Sequence, residues 1–379
     1  MGSLVDRKIG YGIVQPGQNI LHGVPVIKVN NLIAGLHSKG ELDVTTKEND
    51  EKYSRTRLEG GELIVSVVGT VGKTAIVPKS FRGCNLVRAV AMIDIKENWL
   101  SRWVKYYIDS PAGQAYIEQN LNTTVQATLN IKTLVDMPIP FLKEDEMRKI
   151  VTILEAIDKK IECNQQINDN LEQQAAALFS SLYNRSNTEV RYTDLIQILG
   201  GGTPKTGETA YWNGNIAFFT PKDVGTPYTF ITEKTITEEG LSHCNSRLYP
   251  VNTVFVTARG TVGKVGLSGV PMAMNQSCYA LVGKEIHQLL VYFYTLKAVD
   301  RLKHKASGAV FDAITTRDFD SEQIMKLSDD DAKAFLCVAA PMFQEILNNS
   351  IENLRLSTLR DFLLPKLMSG EIDVSSVQL

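Results

Sequence analysis

Gly69-Thr70-Val71-Gly72-Lys73 returns as Gly260-Thr261-Val262-Gly263-Lys264, an interval of 191 residues in a chain of 379. Each copy follows an apolar run rich in β-branched residues, 63–68 and 254–259. Each is followed by a second apolar stretch and then an Asn, Asn85 and Asn275. Upstream, residues 24–32 align with residues 216–224, and each half closes in a long helical pattern. Solenoid repeats recur about every 20–50 residues, so an interval this long marks a duplicated domain pair instead. A chain with two similar heads on two similar stalks is built to read something in two places.

The pattern divides the chain into a first head (1–143), a central helical spacer (144–186), a second head (187–327) and a C-terminal helical spacer (328–379). The first head mixes β-rich runs with Gly and Pro punctuation, then an aromatic helix over 99–108. A break at Ser110-Pro111 precedes a short helix ending near Asn120. From 144 to 183 there is neither Gly nor Pro. Ile150, Leu154, Ile157, Ile161, Ile167, Leu171, Ala175, Leu178 and Leu182 fall mostly three or four apart, one narrow stripe on a helix. At 1.5 Å per residue this is a rod of roughly 50 Å. The second head opens near Arg191, has a turn cluster at Gly200-Gly201-Gly202-Thr203-Pro204, and carries an aromatic helix over 285–305. The last helix is predicted over 331–366, with Leu347, Ile351, Leu354, Thr358 and Phe362 on one side. Pro341 should bend it or delay its start, and Pro365 should end it. Two narrow stripes most simply pair as an antiparallel coiled coil, with Asn164 and Asn168 as polar seam positions. The alternative is that each stalk folds back on its own head.

Several function classes fall away. No apolar run approaches the roughly 18–20 residues of a membrane span, and residues 1–10 lack a signal-peptide core, so a soluble, cytoplasmic protein that does not bind membranes is expected. The five cysteines are scattered, odd in number and without a Cys-x-x-Cys pair, which points to reduced thiols and no metal site. The net charge of −2 conceals a split. Lys and Arg against Asp and Glu number 17 against 13 in the first head and 14 against 12 in the second, but 5 against 9 in residues 144–190 and 4 against 8 in residues 328–379. The heads are basic and the stalks acidic, so a near-neutral chain can still offer DNA phosphates a positive face.

Gly72-Lys73-Thr74 invites a nucleotide-binding reading, but Val67 stands where the phosphate loop needs its first Gly, and Val265 where the second copy needs Ser or Thr. A hairpin turn with glycines at positive φ fits better, either purely structural or also bringing Lys73 and Lys264 to a phosphate. No nucleophile elbow, zinc-helix motif or base-flipping methyltransferase motif is present. The expectation is a non-enzyme without catalytic residues, cofactor or metal. Tyr211-Trp212 and Tyr106-Tyr107 offer stacking surfaces for bases, although aromatics beside a β-run are more often core.

Residues 201–205, 211–216 and 220–224, followed by 259–264, Asn275-Gln276 and 308–314, closely resemble target recognition domains of specificity subunits of type I restriction-modification systems. Residues 8–12 are similar to an alternative opening of such a domain, with no counterpart of 191–199 before them. Residues 168–175 and 359–372 resemble the two spacer regions. The resemblance covers nearly the whole chain, in order and in duplicate. It implies an α+β fold: two globular α/β target recognition domains joined and spaced by two long antiparallel coiled-coil helices. It also implies a bipartite double-stranded DNA sequence as ligand, two methyltransferase subunits docked on the spacers, and restriction subunits where cleavage is added. The rival readings are an orphan specificity subunit and a coiled-coil scaffold with two protein-binding heads.

Residues identical in both heads cannot by themselves distinguish two half-sites, so base contacts are expected where the heads differ. Those stretches are 37–57 against 228–247, 74–84 against 265–274, and 122–126 against 307–311. The candidates are Lys39, Arg55, Arg57 and Gln126 in one head and Asn245, Arg247, Lys305 and Ser307 in the other. Lys73 and Lys264 in the shared turns, with Lys28, Asn30, Lys222 and Arg259 in the aligned segments, complete the expected DNA-contacting set. The stalks then serve as a ruler. Inserting one helical turn, about 5.4 Å, should shift the unread gap by one or two base pairs. Methylome sequencing of such an insertion mutant checks this, and an unchanged gap refutes the ruler.

Overall fold

The computed structural model describes residues 1–36, 38–122, 126–225, 227–305 and 313–377. Two compact units emerge, Met1–Ile161 with Arg355–Leu379, and Glu162–Leu354. Each holds one head and a share of both long helices.

In the first unit a four-stranded antiparallel sheet runs in the order Arg7–Tyr11, Val90–Asp94, Leu63–Ser66, Thr74–Ile76. A second sheet places Val24–Ile27 antiparallel to Asp43–Thr45 and parallel to Asn85–Leu86. The second unit repeats this plan. Its main sheet orders Tyr228–Thr229, Val265–Ser268, Val254–Thr257, Cys278–Gly283 and Ile196–Gly200. Its second sheet sets Trp212–Phe219 antiparallel to Lys234–Ile236 and parallel to Met272–Met274. The opening strand Arg7–Tyr11 pairs with Val90–Asp94 as Ile196–Gly200 pairs with Cys278–Gly283, so the first head has its own counterpart of the second head's entry strand.

The strands before the two Gly turns are apolar at successive positions because both of their faces are covered. Leu63, Val65 and Val67 enter one core while Ile64 enters another. Val254 and Val256 are likewise separated from Phe255. The turns are the expected ones: φ is +79° and +85° at Gly69 and Gly72, and +80° and +73° at Gly260 and Gly263. Each is closed the same way. Gly72 N–H donates to the Ser66 carbonyl at 2.9 Å and Lys73 N–H to Ser66 Oγ at 2.9 Å. Gly263 donates to the Thr257 carbonyl at 2.8 Å and Lys264 to Thr257 Oγ1 at 2.9 Å.

The aromatic helices form as Asn98–Asp109 and Gln288–Lys305, and the short helix as Pro111–Gln119, capped by Ser110 Oγ accepting from Gly113 N–H at 3.2 Å. The long helices are Glu144–Arg185 and Asp329–Met368. Pro341 and Pro365 neither delay nor end the second one. Both prolines are exposed, as are Cys337 and Asp361, the residues whose carbonyls lose their helical donor, so the loss falls on the solvent-facing side. Burial of Phe335, Ala339, Phe343 and Ile346 on the opposite side holds the helix through Pro341.

Within each unit the two helix segments are antiparallel. In the second unit Asn164 Nδ2 donates to Glu352 Oε2 at 2.8 Å and Asn353 Oδ1 at 2.9 Å, and Asn168 pairs with Asn349 and Ser350 at 3.0 and 3.3 Å. In the first, Arg360 donates to Asp158 at 2.9 Å. The helices pair with each other and do not each keep to their own head as the alternative had it: both contribute to the core of each head. Ile150, Leu154 and Leu367 share a core with Trp103 and Val104, and Phe179 stacks on Phe293 at 5.0 Å and meets Phe335 edge-on. The expected stripe is corrected at Ile167, which is 41% exposed while Asn168 takes the seam. All five cysteines are free; Cys84 and Cys278 are buried, and burial pushes the Cys278 thiol up to about 12. Among the described residues no helix is long and apolar enough to cross a membrane.

A Cβ at Gly72 would lie 2.9 Å from Gln114 Oε1, and one at Gly263 2.7 Å from Lys303 Cε, both at positive φ. Gly72→Ala and Gly263→Ala should each lower stability by about 1–2 kcal/mol. Gly200→Ala, with open space and no positive φ, should be near neutral. Denaturant unfolding of the three variants measures the difference.

Candidate nucleic-acid interface

The repeated hairpins bound two equivalent clefts of about 460 and 450 Å³. In the first head the walls include Lys28, Asn30, Val68, Gly69, Thr70, Val87, Ala89 and Gln126. In the second they include Thr220, Lys222, Lys234, Arg259, Gly260, Thr261, Asn275 and Ser277. Backbone hydrogen bonds fix the correspondence. Val87 N–H donates to the Ile27 carbonyl as Asn275 N–H does to that of Phe219, both at 3.0 Å. Val67 donates to Ala89 as Ala258 does to Ser277, both at 2.8 Å. Leu129 donates to Val67 at 2.8 Å as Ile314 does to Ala258 at 2.9 Å. The counterpart of Asn275 is therefore Val87, two positions beyond the Asn85 that the sequence alignment pairs with it. Asn85 is wholly buried and ties Asp50 Oδ1, the Tyr53 carbonyl and Thr56 Oγ1 together.

The clefts share Gly-Thr at one edge and differ almost everywhere else. Their backbones are braced from behind. In the second head Asp223 Oδ2 accepts from Thr220 N–H and Oγ1 at 2.8 and 2.6 Å, Asp223 Oδ1 accepts from Glu233 N–H at 2.8 Å, and Asn275 Oδ1 accepts from Ser277 N–H at 3.0 Å. In the first, Asn31 Oδ1 accepts from Lys28 N–H at 2.8 Å. Two of the cleft cations are already engaged: Lys28 with Asp43, and Lys222 with Glu233 at 3.5 Å. Arg259 is exposed, and among the described residues its guanidinium has no hydrogen bond or ion pair.

The structure thus brings Lys28, Asn30 and Gln126 together in one cleft and Lys222 and Arg259 in the other. The remaining candidates lie elsewhere. Lys39 donates to the Arg82 carbonyl at 2.8 Å, and Arg57 is paired to Asp50 and to Glu51. Lys305 is paired to Glu322, whose side chain is fully buried and also lies 3.5 Å from Arg301, so Lys305 neutralises an interior charge. Arg55, Asn245, Arg247 and Lys264 are exposed but outside the cleft walls. Ser307 lies outside the described residues. Lys73 lines a separate concavity of about 560 Å³ with Lys105, Tyr106, Asp109, Gln114, Asp158 and Arg360. There the Tyr106 hydroxyl donates to Asp158 at 2.8 Å, and burial, then the Asp158 charge, pushes its pKa far above the ordinary phenol value. Tyr106 and Tyr107 are buried and cannot stack on a base, whereas Trp212 is half-buried with Lys234 5.6 Å from its ring. Sequence reasoning missed Thr220, Asn275 and Ser277 as wall residues. The match of Asn85 with Asn275 in the sequence sets that strand two positions out of register, and the backbone hydrogen bonds correct it.

The family model described as "Type I restriction modification DNA specificity domain" matches residues 18–173 and 184–326. The specificity subunit of the EcoBI type I restriction enzyme of Escherichia coli is 29% identical over 153 residues, 40% of this chain and 32% of that protein. The HindI specificity subunit of Haemophilus influenzae is 28% identical over 186 residues, 48% of this chain and 40% of that one. These alignments span about a third to two fifths of the relatives' lengths. The crystal structure of the type I restriction-modification S subunit from M. genitalium superposes with a TM-score of 0.58 at 15% identity, over 97% of this chain and 94% of that one, which shows a shared fold. With the family model matched across both heads, the chain belongs to the family of type I restriction-modification DNA specificity domains.

Proposed function

We propose that this chain is the non-catalytic specificity subunit of a type I restriction-modification complex, reading a two-part sequence of double-stranded DNA with one head per part. The observation that carries it is the pair of clefts: one backbone plan, built twice, with different side chains at corresponding wall positions. Duplicated frames with divergent linings suit a reader of two different words. Chemistry on an adenine requires removing it from the base stack, so the methyl-transfer machinery belongs to partner chains. Methyltransferase subunits would dock on the helices, where Leu359 and Phe362 are 46% and 59% exposed in the first unit and Val338 is 45% exposed in the second. Restriction subunits would join where the system also cuts. The work of such a complex places it in the cytoplasm with the DNA.

Phosphate contacts release counterions, so duplex affinity of the purified chain with its methyltransferase subunits should fall by about tenfold or more between roughly 50 and 200 mM salt. Fluorescence anisotropy over that range tests this, and salt-independent binding would favour a protein-binding scaffold. The chain alone with S-adenosylmethionine should transfer no methyl group to DNA. Transfer by the chain alone refutes the non-catalytic assignment.

A further inference from the structure

Two frames that share three backbone hydrogen bonds around the cleft allow wall positions in one head to be compared with those in the other. Beside the shared Gly-Thr edge, the second head carries Arg259 and the first carries Val68. Both sit on the same scaffold: Arg259 bridges antiparallel to Ala313 as Val68 does to Thr128. The Arg259 backbone is held further by its N–H donating to the Ser277 carbonyl at 3.3 Å. The backbone is pinned while the guanidinium, unlike the ammonium groups of Lys28 and Lys222, is not tied to a carboxylate among the described residues. A planar fork with a fixed base and unspent donors is the group that recognises guanine through O6 and N7. Val68 has no donor at all. Polar recognition in the first cleft falls instead to the amides of Asn30 and Gln126, both exposed, and an amide's paired donor and acceptor match the N6 and N7 edge of adenine.

Resting on the reading of this chain as a DNA specificity subunit, we propose that Arg259 reads a guanine in the half-site of the second head, and that Asn30 and Gln126 read adenine in the half-site of the first. Lys28 and Lys222, already engaged by Asp43 and Glu233, contribute little to the choice of base.

The test uses the full chain with its methyltransferase subunits and a pool of randomised duplexes, with bound sequences read before and after substitution. Arg259→Ala should reduce discrimination at one guanine of one half-site by about 10- to 100-fold and leave the other half-site unchanged. Arg259→Lys, which keeps the charge but loses the fork, should recover only part of it. Asn30→Ala with Gln126→Ala should relax an adenine in the opposite half-site. Val68→Arg should add a guanine preference there, a gain that damage to the fold cannot mimic. If Arg259→Ala weakens all duplexes alike, or relaxes no guanine, the assignment is overturned while DNA reading stands. If the unsubstituted complex selects no two-part sequence, the underlying function fails and the assignment with it.

Discussion

Both clefts depend on a strand that is buried on both faces and then made to reverse within a few residues. Leu63–Ser66 and Val254–Thr257 lie between two cores, so neither can slip by one residue without moving its whole apolar set from one core to the other. That locked register is handed to the Gly turn, whose glycines accept positive φ, and the turn presents one edge to the cleft and the other to the head helix. Gly69 and Gly260 face the cleft; Gly72 and Gly263 abut Gln114 and Lys303. A wall residue such as Arg259 inherits its placement from this rigid support. Precision at the wall is thereby a product of the core.

The charged side chains divide by what already holds them. Arg57, Lys305 and Arg360 look like DNA contacts or free surface by type, yet each is engaged by a carboxylate. For Lys305 the partner is a fully buried Glu322, so removing the lysine would leave an interior charge under-compensated. A basic residue spent on the fold cannot also be spent on phosphate without cost. Charge density therefore overstates the number of groups available to DNA, and the pairing pattern corrects it.

The long helices show the same interplay of local rule and tertiary context. Proline inside a helix costs about 3 kcal/mol. Asp329–Met368 continues through Pro341 because a row of aromatic and aliphatic contacts on its inner side outweighs a loss confined to the wet side. In the second unit the polar seam of Asn164 and Asn168 forgoes apolar burial in return for a hydrogen-bonded register with residues 349–353.

The amino-acid sequence by itself determined the duplication, the strand-turn-strand units, the two aromatic helices and the two long helices, because apolar periodicity, paired glycines and helix-forming stretches are local properties of the chain; that the C-terminal helix runs on through Pro341 and Pro365 was decided by its packing. It also disclosed the Asn seam, since a polar residue on a narrow stripe can be recognised without knowing its partner. Which basic residues are engaged, that Asn275 matches Val87 and not Asn85, and that Lys73 and Gly69 face different concavities were decided only by the tertiary structure. The reason is the same in each case: cleft walls and ion pairs are assembled by residues distant in the chain, and strand register and carboxylate proximity in three dimensions leave no local trace in the order of amino acids.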